Sequence, residues 1–173
     1  KPLVSVMLCT NTVDEYFDLA LFSVQTQSMQ DIEILIVANG LMPEQETTLR
    51  ESVVHNGDDP RIKILTTQMS GVTFSRNLAL HAAVADLIAV LDADDVAYQD
   101  RLKIQYDYMV AHPSVTVLGS HYDTIDQQGN KLSVSELPLE NQAIRQKLIW
   151  ANPICHPTTM IRKEAALAVG GYT

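Results

Sequence analysis

Residues 88–95, Ile88-Ala89-Val90-Leu91-Asp92-Ala93-Asp94-Asp95, run from an apolar stretch straight into three carboxylates. An apolar run of this length, bounded by polar residues, suits an interior strand of a parallel sheet. Carboxylates crowded together repel and raise one another's pKa values, so the cluster adds no stability to a fold. A hard cation resolves the conflict, because Mg²⁺ or Mn²⁺ takes one or two carboxylates together with substrate phosphates. Ligands of open α/β sheets bind just beyond the carboxyl ends of the strands. Asp92, Asp94 and Asp95 are expected there.

Upstream of this stretch the chain alternates. Val4–Cys9 reads as a strand, and the Thr12-x-x-Glu15 spacing reads as a capping box opening a helix with Phe17, Ala20, Leu21 and Val24 on one face. Ile32–Ala38 is a second strand, Asn39-Gly40 a turn, and Pro43 the first residue of a helix through Val54. Arg61–Thr66 is a third strand. Val72–Ala85 is a third helix with Phe74, Leu78 and Ala82 in register, and Leu87–Leu91 a fourth strand. Strands alternating with helices in this way predict a mostly parallel, Rossmann-like α/β sheet with flanking helices. Downstream, a helix is expected over Asp100–His112, a strand over Val115–Asp123, a turn at Asp126–Asn130 and a helix over Leu139–Trp150. A short strand at Pro157–Ile161 and a helix from Lys163 to Gly170-Gly171 complete the pattern.

The 173 residues suit one domain. A formal charge of −9 and a pI near 4.8 argue against nucleic acid as a partner, and no polybasic cluster addresses anionic lipid. A phosphate-bearing ligand therefore calls for a metal bridge. No apolar run approaches the roughly 18 residues of a transmembrane span, and no signal-peptide layout opens the chain. Cys9 and Cys155 lack Cys-x-x-Cys spacing and read as free, buried thiols in a reducing compartment. The absence of an initiator Met and the stop just after Gly170-Gly171 suggest an excerpt of a longer protein.

Val4-Ser5-Val6-Met7-Leu8, Ser23-Val24-Gln25-Thr26-Gln27, Glu33-Ile34-Leu35-Ile36-Val37, Arg76-Asn77, Leu91–Asp95 and Gly170-Gly171-Tyr172 together resemble the inverting, family 2 glycosyltransferases of the GT-A fold. The ordered set spans nearly the whole chain, whereas a lone Asp-x-Asp occurs in many unrelated proteins. The resemblance implies one GT-A domain over residues 1–173, truncated at its C-terminal end, with a donor-binding half over about 1–98 and the start of an acceptor-side half over about 99–173. It further implies a nucleotide-diphospho-sugar donor, Mn²⁺ or Mg²⁺ at the Asp-x-Asp element, and inverting transfer to the hydroxyl of a saccharide or lipid-linked acceptor. Surface polysaccharide synthesis in the cytoplasm, at the inner face of the membrane, is the setting it implies.

Carried over residue by residue, the resemblance places Cys9, Thr10, Asn11, Asn39, Arg76, Asn77, Asp92 and Asp94 against the donor, and Asp94 and Asp95 on the metal. Asn39 stands where the family usually has an acidic residue facing the nucleobase. Its amide both accepts and donates, so the match to uracil is less exclusive and a uridine carrier is favoured only weakly. Asn39-Gly40 also reads as a plain turn, Arg76 as a solvated arginine, Asn77 as a backbone-bonding amide and Asp95 as a helix cap. His156, in Asn152-Pro153-Ile154-Cys155-His156-Pro157, belongs to the acceptor side or to the core. Trp150 either stacks on a sugar face or packs in the core. No catalytic residue lies within the chain, since the family's general base follows the Gly-Gly-Tyr segment and Thr173 precedes it.

Two rivals share these residues. Leu91–Val96 also fits the Asp-x-Asp-x-Val of haloacid-dehalogenase-like phosphatases with Asp92 as nucleophile, although that element normally sits on a first strand. The missing base equally suits a non-catalytic module that binds nucleotide sugar.

Overall fold

The computed structural model describes residues 1–173. Its central sheet is built from β1 (Val4–Thr10), β2 (Ile32–Asn39), β3 (Ile62–Thr67), β4 (Leu87–Asp92), β5 (Val117–Leu118) and β8 (Met160–Arg162) in the order β3-β2-β1-β4-β8-β5. The first four strands run parallel. β8 pairs antiparallel with both β4 and β5. The fold is thus the mostly parallel, Rossmann-like α/β arrangement expected. β6 (Asp123–Ile125) and β7 (Lys131–Val134) form a separate hairpin.

Alternation along β1 divides the core into two layers. Val4, Val6 and Leu8 pack with Phe17, Leu21 and Val24 of α1 (Glu15–Gln25), Leu49 and Val53 of α2 (Pro43–His55), and Leu102 and Met109 of α4 (Arg101–Ala111). Met7 faces the opposite layer, with Ala79 and Leu80 of α3 (Val72–Ala82). Each fully buried side chain of this kind contributes about 1.5–3 kcal/mol of transfer free energy, so the strands that carry the rim are its most firmly held part.

Several expectations require correction. The capping box at Thr12 is not the helix start, because Asp14 is the N-cap and its Oδ1 accepts from the N–H groups of Tyr16 and Phe17 at 3.1 Å each. Thr12 instead donates its hydroxyl to Asp14. α3 ends at Ala82, short of Ala85, and its inward face is rotated: Leu78 and Ala82 pack at the edge of the second layer as expected, but Phe74 is 41% exposed and Ser75, Ala79 and Leu80 are the buried residues. The strand expected over Val115–Asp123 shrinks to Val117–Leu118. α5 (Asn141–Lys147) is shorter than Leu139–Trp150 and buries no residue. Pro157 lies in a 3₁₀ turn, His156–Thr158, that precedes β8, and α6 (Lys163–Ala168) follows. Periodicity located these last segments without saying what they pack against, which is tertiary information.

At the end of the sheet away from the acidic rim, Glu33 is buried and accepts from Ser5, from the Val84 N–H at 2.7 Å and from Lys63 at 2.8 Å. Burial opposes its charge, but these donors outweigh it and hold the carboxyl below its ordinary range. This carboxylate ties the α3–β4 connection to β1 and β2.

Candidate functional site

The strand order reverses at β1. The chain moves outward from β1 through β2 to β3, then returns to lay β4 on the other side of β1. Such a switch point opens a crevice at the carboxyl ends of the two strands. Cys9 and Asp92 are ladder partners there. Thr10 closes the loop beyond β1, its hydroxyl bonded to the Thr12 carbonyl and accepting from the Thr12 N–H at 3.2 Å. Asn11 is exposed on that loop.

Asp92 faces Arg76, whose Nη2 lies 3.4 Å from its Oδ1. Arg76 projects from α3, and its guanidinium also lies over the Tyr172 ring, 5.8 Å from the centroid. Cys9 packs into the same layer as Tyr172. Burial pushes the Cys9 thiol up to about 12, with Arg76 pulling down and Asp92 pushing up. This cysteine is therefore a neutral wall of the crevice. Both cysteines are free and half-buried.

Beyond Asp92 the backbone turns at once, with the Asp95 N–H donating to the Asp92 carbonyl at 3.2 Å. The residues Asp94 and Asp95 stand exposed on this turn. Desolvation of its carboxyl first, then the Asp94 and Asp92 charges, push Asp95 above its ordinary pKa range, against the opposing field of Arg101. The three acids do not converge on one point, and no group of three or more His, Cys, Asp or Glu side chains is gathered to hold an ion. With Asp92 facing Arg76, the donor set is a pair, Asp94 and Asp95, neither in an ion pair, with Asp94 open to solvent and the Asp95 carboxyl partly desolvated. That set fits a hard cation that takes one or two protein carboxylates and fills its remaining positions with ligand oxygens and water.

The turn is braced from behind. Ser23 Oγ accepts the Ala97 N–H at 3.0 Å; Gln27 donates to the Tyr98 carbonyl at 2.9 Å and accepts the Leu102 N–H at 3.1 Å. The Ser-Val-Gln-Thr-Gln segment at the end of α1 thus holds the chain as it leaves the acidic turn. Arg101 donates to the carbonyls of Val90 at 2.6 Å and Thr159 at 3.3 Å, fastening β4 to the turn before β8. Burial lowers its pKa to about 10, with Asp95 and Cys155 acting in the other direction, and it remains a cation at neutral pH. The Ser-Val-Gln-Thr-Gln segment was visible in the sequence as a motif without a structural role, whereas Arg101 was one more polar residue at a helix start.

Other expected contacts are already engaged. The Asn39 Oδ1 accepts the Gly71 N–H at 2.8 Å, joining the ends of β2 and the loop before α3, while its amide nitrogen has no protein partner. Gly40, at φ +67°, lies so close to Ser70 that a Cβ would stand 3.0 Å from the serine Cβ. Asn77 gives both ends of its amide to the main chain of Tyr172: Nδ2 donates to the carbonyl at 2.8 Å and Oδ1 accepts the N–H at 2.9 Å. His156 sits beside Tyr172, with Nε2 3.1 Å from the hydroxyl and the rings edge to face. Burial, then Arg76, lower the His156 pKa against Asp92, so the ring is neutral at pH 7. Trp150 is 88% exposed beyond the end of α5, which removes it from the core.

The profile of the family described as "Glycosyl transferase family 2" matches residues 5–170. The chain belongs to that family. An O-antigen biosynthesis glycosyltransferase, WbnJ, from Escherichia coli is 29% identical over 171 residues, covering 98% of this chain and 65% of its own length. The amylovoran biosynthesis glycosyltransferase AmsE of Erwinia amylovora is 26% identical over 169 residues, covering 98% of this chain and 62% of its own length. The family 2 chain thus spans less than two-thirds of either relative.

Two solved structures share the GT-A fold. A mannosyltransferase from Pyrobaculum calidifontis, in complex with GDP-Man and Mn²⁺, superposes with a TM-score of 0.73 at 18% identity, over 100% of this chain and 48% of its own. S. aureus TarS 1–349 in complex with UDP gives 0.68 at 20% identity, over 98% and 49%. Membership in family 2 puts Asp92 on a fourth strand of a glycosyltransferase sheet and removes the ground for reading it as a phosphatase nucleophile.

Proposed function

We propose that this family 2 chain is the donor-binding part of a glycosyltransferase that moves a sugar from a nucleoside diphosphate to an acceptor hydroxyl with inversion, in the synthesis of a surface polysaccharide. The observation that carries the reading is the pairing of Cys9 with Asp92 at the strand-order reversal, with Arg76 facing Asp92 and the free Asp94–Asp95 pair one turn further on. A diphosphate needs cationic neutralisation in a chain of charge −9. Arg76 supplies one positive group, and Asp94 and Asp95 hold Mn²⁺ or Mg²⁺. Held by those two carboxylates, a divalent cation would supply Lewis-acid stabilisation of the charge on a leaving diphosphate.

Cys9, Thr10, Asn11 and Asn39 line the nucleoside side of the crevice. One solved neighbour carries UDP and another GDP-Man, so a guanosine carrier stands beside uridine as a candidate. Uridine is the first choice here, with the unpartnered Asn39 amide nitrogen donating to a base carbonyl. Asn77 acts from behind by holding Tyr172, and Trp150 and His156 lie on the acceptor side, where a saccharide or a lipid-linked saccharide is the partner. The general base, which must reach the acceptor hydroxyl, is assigned to none of the acids present. A reducing, cytoplasmic setting at the inner membrane face accords with two unpaired cysteines, and no helix is long and apolar enough to cross a membrane.

Calorimetric titration with uridine, guanosine and thymidine diphosphates, with and without Mn²⁺, tests this. Saturable heat that requires Mn²⁺ and vanishes in Asp94→Ala is expected. No binding of any of the three in the presence of Mn²⁺ would overturn the donor reading. Binding in the parent enzyme without transfer to any acceptor would favour a donor-binding module instead.

A further inference from the structure

Three observations meet at Tyr172. Its ring lies under the Arg76 guanidinium, its hydroxyl meets His156 Nε2, and both of its main-chain polar groups are held by Asn77. Gly171 explains how the segment approaches so closely. It has φ +79°, and a Cβ there would stand 2.3 Å from Asn77 Oδ1. A residue with a side chain could not enter the clamp.

We propose that Tyr172 is a positioning residue, whose ring orients Arg76 and whose hydroxyl orients His156, so that one side chain sets the geometry of the donor rim and of the acceptor-side turn together. The proposal rests on the donor reading for its functional consequence, but its geometry stands without it. Arg76 has one other polar partner, the 3.4 Å contact with Asp92, and a long flexible side chain with one long contact needs a second surface to hold it. An aromatic face supplies that surface through its quadrupole and its area. His156 has the same need. Its Nδ1 is buried without a partner, so the contact with Tyr172 is what fixes the ring. A buried N–H without an acceptor is rarer in proteins than an unmatched acceptor. The tautomer that follows carries its proton on Nε2, donates to the Tyr172 oxygen and leaves Nδ1 as a bare acceptor.

The test uses Tyr172→Phe, which keeps the ring and deletes the hydroxyl, and Tyr172→Leu, which deletes both, each first shown to be folded by circular dichroism. Ring ¹⁵N shifts of His156 report the tautomer, and the side-chain proton shifts of Arg76 report the ring current above Tyr172. In the native chain His156 is expected in the Nε2–H form and Arg76 shifted upfield. Tyr172→Phe should mix the tautomers and leave Arg76 unmoved; Tyr172→Leu should change both. Affinity for uridine or guanosine diphosphate with Mn²⁺ should then hold in Tyr172→Phe and fall about two- to fivefold in Tyr172→Leu. Unchanged His156 tautomers in Tyr172→Phe, or unchanged Arg76 shifts in Tyr172→Leu, would overturn the proposal. Should the native chain bind neither nucleotide, the donor reading fails while the two spectroscopic arms still decide what Tyr172 does.

Discussion

Arg76 Nη2 lies 3.4 Å from Asp92 Oδ1, across the crevice wall that Cys9 and Asp92 share as ladder partners. The pair is a quarter to two-fifths exposed, so its contribution to folding is about 0–1 kcal/mol. Its larger consequence is electrostatic placement: a cation is fixed beside the one acid of the cluster that leads directly out of the sheet.

Arg76→Ala is therefore expected to lower nucleoside diphosphate affinity about tenfold or more, since hydrogen bonds to charged groups contribute the most. The unfolding midpoint should scarcely move. Paired titration calorimetry and urea denaturation check both halves, and a large loss of stability with intact affinity would show Arg76 to be a fold residue.

Asp95 predicts a pH dependence. Its carboxyl titrates above the ordinary range when folded, so the native state holds that proton more tightly than the unfolded chain does. Stability is then greatest while the group is protonated and falls as pH rises from the unfolded value through the folded one. Asp95→Asn should flatten that fall and raise Tm near neutral pH. Mn²⁺ should stabilise the native chain above this window and leave Asp95→Asn unaffected. Melting curves from pH 4 upward, with and without Mn²⁺, decide it; identical slopes in the two proteins would refute the assignment.

The acidic rim could be read from residues 88–95 because an apolar run ending in carboxylates has few structural explanations, and alternation with amphipathic helices carried the parallel sheet with it. What pairs with what was hidden. Asn77 offered only an amide next to an arginine, and its partner lies 95 positions away. Arg101 bonds to main-chain carbonyls, which have no sequence signature. Phe74 illustrates the opposite failure: its register with Leu78 and Ala82 nominated it for the core, yet α3 packs on the sheet most closely through Ser75, Ala79 and Leu80. The excursion from Gly119 to Cys155 was hardest, since α5 buries nothing and its periodicity has no packing behind it.

Gly171→Ala should destabilise the chain by about 1–3 kcal/mol, from left-handed backbone strain together with the collision at Asn77. In an Asn77→Ala background the collision is gone and the same change should lose less. Denaturation of the four proteins as a cycle measures the difference, and strict additivity would mean that the two positions do not meet.

Trp150→Ala should leave stability within about 0.5 kcal/mol, as for other exposed positions, and leave nucleotide binding intact. In the parent enzyme, transfer to a saccharide acceptor should weaken. Equal transfer rates at limiting acceptor would remove Trp150 from the acceptor side.

The Asn77 clamp grips peptide groups alone and is indifferent to the identity of the side chain that it carries. A swap at position 172 therefore keeps its seat on α3 while exchanging the only chemistry presented there to the arginine and the imidazole. Position 172 is in effect a tuning dial mounted on a fixed bracket: trading its aromatic for one without a hydroxyl would retune the imidazole alone, and only loss of the ring would reach the arginine, with the scaffold undisturbed in either case.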